Sequence, residues 1–196
     1  MARYDERTAL LIVDIQNDFA DPAGGLAVLN GESIMPTVNE AIRAATEVGA
    51  LVVATQDWHP EATPHFARDG GVWPVHCVAG TWGAELHPSL AVPADAPRVR
   101  KGTNGEDGYS AFTMRDPTTG EVTTTELEGL LRERGIERVI VCGLATDYCV
   151  KATALDAIRL GFGVLLLGEA VAAVNLAPND GDQAMAELVS AGVTIG

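Results

Sequence analysis

The residue whose position says most about chemistry is Cys149. It closes the run Gly143, Leu144, Ala145, Thr146, Asp147, Tyr148, Cys149, which joins an apolar strand to the start of a helix. A cysteine in a first helical turn faces unpaired backbone N–H groups and the positive end of the helix dipole. Both favour a thiolate, and the same N–H groups can hold an oxyanion, so the position suits a nucleophile. Standing alone, the motif fits equally well a small apolar cysteine packed under a helix, and Cys142 in the strand and Cys77 beside His76 are read that way.

A second cluster gathers a carboxylate and three imidazoles: Asp57 and His59 at a strand end, then His65 and His76. These ligand types suit one divalent metal ion, with zinc, iron and manganese all compatible. With no paired cysteines nearby, a closed structural zinc cage is disfavoured, which leaves a coordination position for substrate. His87, in Leu86-His87-Pro88, falls outside this spacing and reads as a turn or packing residue. A cysteine hydrolase needs a base, and with the histidines assigned to metal the strand-end carboxylate of Asp14 is the candidate. Lys101 can supply a positive charge to hold carboxylate and thiolate together. Each has an ordinary alternative, a turn cap for Asp14 and a solvated surface position for Lys101.

The elements that must position these groups follow from periodicity. Residues 8–13 and 51–55 are β-prone apolar runs that end in Asp14 and in Gln56-Asp57, the pattern of strands buried on both faces that deliver polar groups at their ends. Between them Ile34, Val38, Ile42 and Ala45 recur at helical spacing, with Pro36 in the first turn and Gly49 as the stop. Residues 58–104 lose all periodicity, and a long irregular excursion inside a compact domain is usually functional. Thr125 and Glu128 form a capping box for a helix through Leu127, Leu130 and Leu131 to Gly135. Strand 139–142, a helix capped by Asp147 and running to Gly161, strand 164–167, helix 180–190 and strand 193–195 complete the alternation. Alternating strands and helices predict an α/β, Rossmann-like three-layer sandwich with a mainly parallel sheet flanked by helices.

Length and composition set the frame. The 196 residues, 47% hydrophobic and 20% charged, read as one domain over residues 1–196. A formal net charge of -14 argues against nucleic-acid and anionic-membrane partners. Arg3, Asp5, Glu6 and Arg7 precede an apolar run too short for a signal or membrane helix, so a cytoplasmic protein is expected. The three cysteines imply no disulfide framework. A small-molecule substrate is the expected partner, and a homo-oligomer is compatible with the sequence.

From Ala9 to about Gly161 these residues resemble the nicotinamidase branch of the isochorismatase-like cysteine hydrolases. Val13-Asp14-Ile15-Gln16-Asn17-Asp18-Phe19 is similar to the family's opening motif, whose first aspartate is the catalytic acid/base. Asp57-Trp58-His59-Pro60 is similar to its metal motif, and Trp73-Pro74-Val75-His76-Cys77 to the segment whose histidine completes the metal site. His65 corresponds to a further ligand present in some members, Lys101-Gly102 to the catalytic lysine segment, and Gly143 to Val150 to the nucleophile motif. The resemblance implies a cis peptide between Leu144 and Ala145, an oxyanion hole from the N–H groups of Ala145 and Cys149, and a ring pocket walled by Phe19, Trp73 and Tyr109. It also implies hydrolysis of nicotinamide to nicotinic acid and ammonia through a thioester, an activity that feeds NAD salvage, with pyrazinamide as a second substrate. Residues 103–108, glycine-rich and acidic, depart from the pattern and bear on Tyr109. The competing expectations are a relative acting on another small amide or a vinyl ether, and a catalytically inactive metal-binding scaffold of the same fold. Keeping both halves of the metal motif favours the pyridine carboxamide.

Overall fold

The computed structural model describes residues 4–196, so Arg3 of the charged N-terminal stretch lies outside the described residues. The chain builds β1 (Thr8–Val13), α1 (Asn17–Ala20), α2 (Met35–Glu47), β2 (Leu51–Asp57), β3 (Arg98–Lys101), β4 (Thr113–Arg115) and β5 (Val122–Thr124). It continues through α3 (Leu127–Glu133), β6 (Arg138–Leu144), a π-helical turn (Thr146–Val150), α4 (Lys151–Arg159), β7 (Gly163–Ala172), α5 (Asp180–Ser190) and β8 (Thr194–Ile195).

Six of these strands form one parallel sheet in the order β3-β2-β1-β6-β7-β8. β1 is its pivot, because the chain winds outward to β2 and β3 on one side and to β6, β7 and β8 on the other. Such a reversal opens a crevice beyond the carboxyl ends of the strands on either side of it. Every residue of β1 is buried, and its side chains alternate between two cores. Leu10 and Ile12 pack with Val38, Ile42 and Ala45 of α2. Ala9, Leu11 and Val13 pack with Leu127 and Leu131 of α3, Val150 and Ala154 beside α4, and Leu188 of α5. Burying such an aliphatic side chain contributes about 1.5–3 kcal/mol before chain entropy is counted, so the three layers are held from both faces of the sheet. Among the described residues no helix is long and apolar enough to cross a membrane.

Several elements differ from the sequence reading. The segment 58–104 is not wholly irregular, since it contains β3, a short edge strand whose alternating burial hides Val99 and Lys101 and exposes Arg98 and Arg100. The β4–β5 hairpin, with Val122–Thr124 fully exposed, carries no buried apolar stripe to announce it. The capping box is absent: the Thr125 amide donates to the Phe112 carbonyl, while the Thr125 hydroxyl accepts from Leu127 N at 3.2 Å. Asp147 does not cap a helix either. Its carboxylate accepts from the amides of Val174 and Asn175 at 2.9 and 2.8 Å, tying the nucleophile turn to the chain that leaves β7.

Candidate active site and metal centre

Four adjacent strands deliver one polar side chain each to the same end of the sheet. Asp14 follows β1, Asp57 ends β2, Lys101 ends β3, and Cys149 lies in the turn after β6. Register makes them meet: Asp57 pairs with Lys101, and Val13 pairs with Gly143. The Lys101 ammonium is fully buried. It donates to Asp57 Oδ1 and to the Gly108 carbonyl, contacts Asp14 Oδ2 at 2.6 Å and lies 3.7 Å from Cys149 Sγ. Thr55 secures Asp14 from the neighbouring strand, its hydroxyl donating to Asp14 Oδ1 at 2.6 Å and accepting from the Asp14 amide at 3.1 Å.

Two carboxylates therefore share one buried ammonium, and the excess negative charge decides the protonation states. Burial raises the Asp14 pKa; Lys101 opposes the rise and Asp57 adds to it. Burial also pushes the Cys149 thiol well above its usual value, with Asp14 and Asp57 reinforcing and Lys101 opposing. Burial acts against the Lys101 charge as well, but the two carboxylates outweigh it and hold the ammonium protonated. The resting nucleophile is thus a thiol, with its sulfur within 4.8 Å of an Asp14 oxygen. This corrects the expectation of a thiolate stabilised by a helix terminus: Cys149 sits in a π-helical turn beside two carboxylates, and their repulsion and its burial dominate.

The imidazoles form the other half. Ligand atoms of His59, His65 and His76 lie within 4.8 Å of one another. Asp57 Oδ2 faces the same point, 3.8 Å from His59 Nε2 and 3.9 Å from His76 Nε2. His59 is held by its backbone, which donates to the Cys77 carbonyl and accepts from the Ala79 amide. A Cβ at position 102 would stand 2.5 Å from His59 Cε1, so the glycine after Lys101 is what admits the ring. His76 donates Nδ1–H to the Pro74 carbonyl at 2.7 Å, which leaves its Nε2 lone pair free. Burial lowers its pKa to about 4 despite Asp57, so it is neutral at pH 7. Both ring nitrogens of His59 are buried without a hydrogen-bond partner. Orphaned buried nitrogens beside a carboxylate and two more imidazoles are the donor set of a divalent transition metal, so the residues fit such an ion.

A pocket of about 440 Å³ opens over both halves. Its walls are mostly apolar and aromatic, and Asp57, His65, His76 and Cys149 lie on its lining. Trp73 donates its indole N–H to the Tyr109 hydroxyl at 2.7 Å and meets Tyr148 edge-on, with ring centroids 4.9 Å apart. Phe19, Leu26 and Val28 close the opposite side, with Phe19 against His76. The lining suits a small planar ligand with one polar end.

With this geometry in place, comparison with known proteins is decisive. The Isochorismatase domain matches residues 8–196. The chain belongs to the isochorismatase family. Its relatives include the nicotinamidase of Escherichia coli (strain K12), 41% identical over 95% of this chain and 93% of that protein. Among solved structures, the pyrazinamidase of Pyrococcus horikoshii in complex with zinc is 45% identical, with a TM-score of 0.86 over 97% of this chain and 98% of that one. PnC1 from L. infantum in complex with nicotinate is 39% identical, with a TM-score of 0.88 over 100% and 95%.

The isochorismatase-like reading of the sequence named Asp14, Lys101, Cys149, Asp57, His59, His65, His76, Phe19, Trp73 and Tyr109, and the structure gathers all of them around this pocket. The peptide between Leu144 and Ala145 is cis. Cys77, Cys142 and His87 are buried and absent from the pocket lining, His87 accepting from the Ser89 amide at 3.2 Å, and all three cysteines are free. Other members of the site went unread. Thr55 is visible only through the β1–β2 register. Gln16 donates to the carbonyls of Asp57 and Ala84 at 2.7 and 2.9 Å and accepts from the Asp57 amide at 2.8 Å, gripping that residue by its backbone. The signal was its place in the polar run that follows β1. Tyr148, quoted only as part of the nucleophile motif, is a pocket wall.

Proposed function

We propose that this protein is a nicotinamidase that hydrolyses nicotinamide to nicotinic acid and ammonia, with pyrazinamide as a second substrate. The observation that carries the reading is the shared Asp57 carboxylate. One oxygen binds the ammonium that contacts Asp14 and lies near Cys149, and the other stands 3.8 and 3.9 Å from His59 and His76, which cluster with His65 beside an aromatic pocket. Imidazoles and nucleophile thereby line one cavity whose aromatic walls suit a pyridine carboxamide. The names of the relatives, a nicotinamidase and a zinc-bound pyrazinamidase, support the same chemistry.

In this mechanism the pyridine ring lies among Phe19, Trp73, Tyr109 and Tyr148, with its carboxamide toward Cys149. The Asp14 carboxylate accepts the thiol proton as Sγ attacks the amide carbon, and the N–H groups of Ala145 and Cys149 stabilise the oxyanion. Collapse breaks the C–N bond, Asp14 returns the proton to the leaving nitrogen, and ammonia departs from a thioester. Water then loses a proton to Asp14 as it adds to the thioester carbon. The second collapse releases nicotinic acid, and Asp14 reprotonates the sulfur. Lys101 stays cationic throughout and offsets the charge passed between Asp14 and Cys149. A divalent ion held by Asp57, His59, His65 and His76 would supply a Lewis-acid point for the ring nitrogen. A cytoplasmic setting, which keeps three unpaired thiols reduced, belongs to the same reading.

Ammonia release from nicotinamide by metal-loaded protein tests the proposal. Cys149→Ala is expected to lower turnover by more than about 10⁴-fold while retaining metal, the scale on which losing one member of a nucleophile–base unit acts. His59→Ala is expected to lose metal and turnover together. No release by metal-loaded wild type would point to another small amide or to an inactive scaffold.

A further inference from the structure

His65 is the imidazole of the cluster held within its own loop, its carbonyl accepting from Trp73 N at 3.4 Å. It lies on no strand or helix, and its position comes from the loop 60–73. Its Nδ1 stands 2.6 Å from Asp107 Oδ1. A carboxylate only accepts, so Nδ1 carries the proton, and the unprotonated Nε2 is left for the space shared with His59 and His76. The ring is also stacked on His59, centroids 4.7 Å apart at 21°, and so points with it.

Asp107 is itself fixed. Its amide and carbonyl form a two-bond bridge to Arg115 at 2.7 and 3.0 Å, at the end of β4 in the β4–β5 hairpin. Two residues earlier, the Gly105 carbonyl accepts from the buried Thr63 hydroxyl at 2.8 Å, and that hydroxyl also receives the His65 amide at 3.2 Å. The glycine-rich acidic stretch 103–108, which the sequence left without a role, is thus tied to the His65 loop at Gly105 and at Asp107.

We propose that Asp107 is a positioning residue for the metal centre, holding His65 in the tautomer and orientation that make it a ligand beside Asp57, His59 and His76. Carboxylate partners of this kind fix ring orientation and raise ligand basicity. The proposal rests on the metal site of the proposed function, though not on its substrate. On this reading the exposed hairpin serves the site at one remove, by setting where the Asp107 carboxylate stands.

The test uses full-length wild type, Asp107→Ala, Asp107→Asn, His65→Ala and the Asp107→Ala/His65→Ala double variant. Each is loaded with zinc and then challenged with a chromophoric chelator, and each is also substituted with cobalt(II) for its visible spectrum. Asp107→Ala is expected to release zinc about 10–100-fold faster, the range for loss of a ligand's supporting carboxylate. Its cobalt spectrum should shift in the direction seen for His65→Ala. Asp107→Asn, which keeps an acceptor oxygen, should recover most of the wild-type rate, and the double variant should match His65→Ala alone. If Asp107→Ala accelerates release by the same factor with and without His65, Asp107 is only a loop staple and the proposal fails. It fails also if Asp107→Ala and Asp107→Asn both release zinc at the wild-type rate. A wild type that takes up no divalent metal overturns the metal site as well, whereas inactivity toward nicotinamide with tight, Asp107-dependent zinc would overturn the substrate reading alone.

Discussion

The Cys149 sulfur, the Lys101 ammonium and the Asp14 carboxylate are buried together, and a pairing with lysine alone would predict a reactive thiolate. The geometry predicts the opposite at rest. Lys101 is already engaged by Asp14, Asp57 and the Gly108 carbonyl, and lies 3.7 Å from the sulfur. Burial and the two carboxylates therefore prevail and keep the thiol protonated. In metal-free protein, alkylation of Cys149 by iodoacetamide should be slow at neutral pH and climb only above the ordinary thiol pKa of about 8.5, since the thiolate fraction grows as pH rises through the raised value. Lys101→Met removes the one group that lowers that pKa and should slow alkylation further at a given pH. A rate already on its plateau at pH 6 would refute this account. Such a resting state leaves proton removal to the arrival of substrate, when Asp14 takes the proton as the carbon–sulfur bond forms. Asp14 and Cys149 were legible because one ends an apolar run and the other sits in a dense motif, whereas Lys101 was placed by the family resemblance. Their charge states were not legible, because those depend on how many carboxylates the fold places around one cation.

The elements succeed as positioning devices through close approach. β1 and β6 are neighbours in the sheet, and position 143 is where they pass most tightly: a Cβ there would lie 2.1 Å from the Val13 carbonyl oxygen, and the backbone already has a φ of +117°. Val13 leads to Asp14 and Gly143 leads to the Cys149 turn, so this one contact sets the distance between base and nucleophile. Gly143→Ala is expected to cost about 3 kcal/mol or more, because backbone strain and a clash with backbone add. Gly135→Ala, with a φ of +65° and nothing near its Cβ, should cost about 1–2 kcal/mol. Urea unfolding of the two variants checks the difference, and equal midpoints would remove the claim for the β1–β6 contact. The strands and helices with continuous apolar runs or helical spacing could be read from the sequence. β3 could not, since four residues with two facing out look like a loop. Nor could β4 and β5, whose pairing buries little. The cost of missing them is specific: β3 carries Lys101, and the hairpin sets Asp107.

At the scale of the whole molecule, the site joins two unlike parts. The sheet contributes Asp14, Asp57 and Cys149 from strand ends packed on both faces, whereas His65 and His76 come from residues 58–97, which hold only short 3₁₀ turns. Residues 77–97 are tied to the frame by several hydrogen bonds, among them Gln16 to the Ala84 carbonyl, the Asn17 amide to the Glu85 carbonyl, the His87 amide to the Ile15 carbonyl and Cys77 N to the Asp18 carboxylate at 2.6 Å, whereas the bonds that residues 60–76 make outward go to Gly105, Asp107 and Tyr109. A metal that joins Asp57 and His59 to His65 and His76 adds a cross-link between frame and loop. Binding only the folded state stabilises it in proportion to the logarithm of metal concentration, by about 2.7 kcal/mol at a hundred times Kd. The gain should appear where the cross-link acts. Chelation is therefore expected to speed amide hydrogen exchange in residues 60–80 and to leave the amides of β1 and β6 near their metal-loaded rates, because both cores remain packed without the ion. Loss of protection spread evenly over the sheet would mean that the metal holds the fold as a whole, and no change anywhere would mean that the loop is already rigid without it. The local pattern is the one that leaves the catalytic half built on the sheet and makes the pyridine-binding half conditional on the ion.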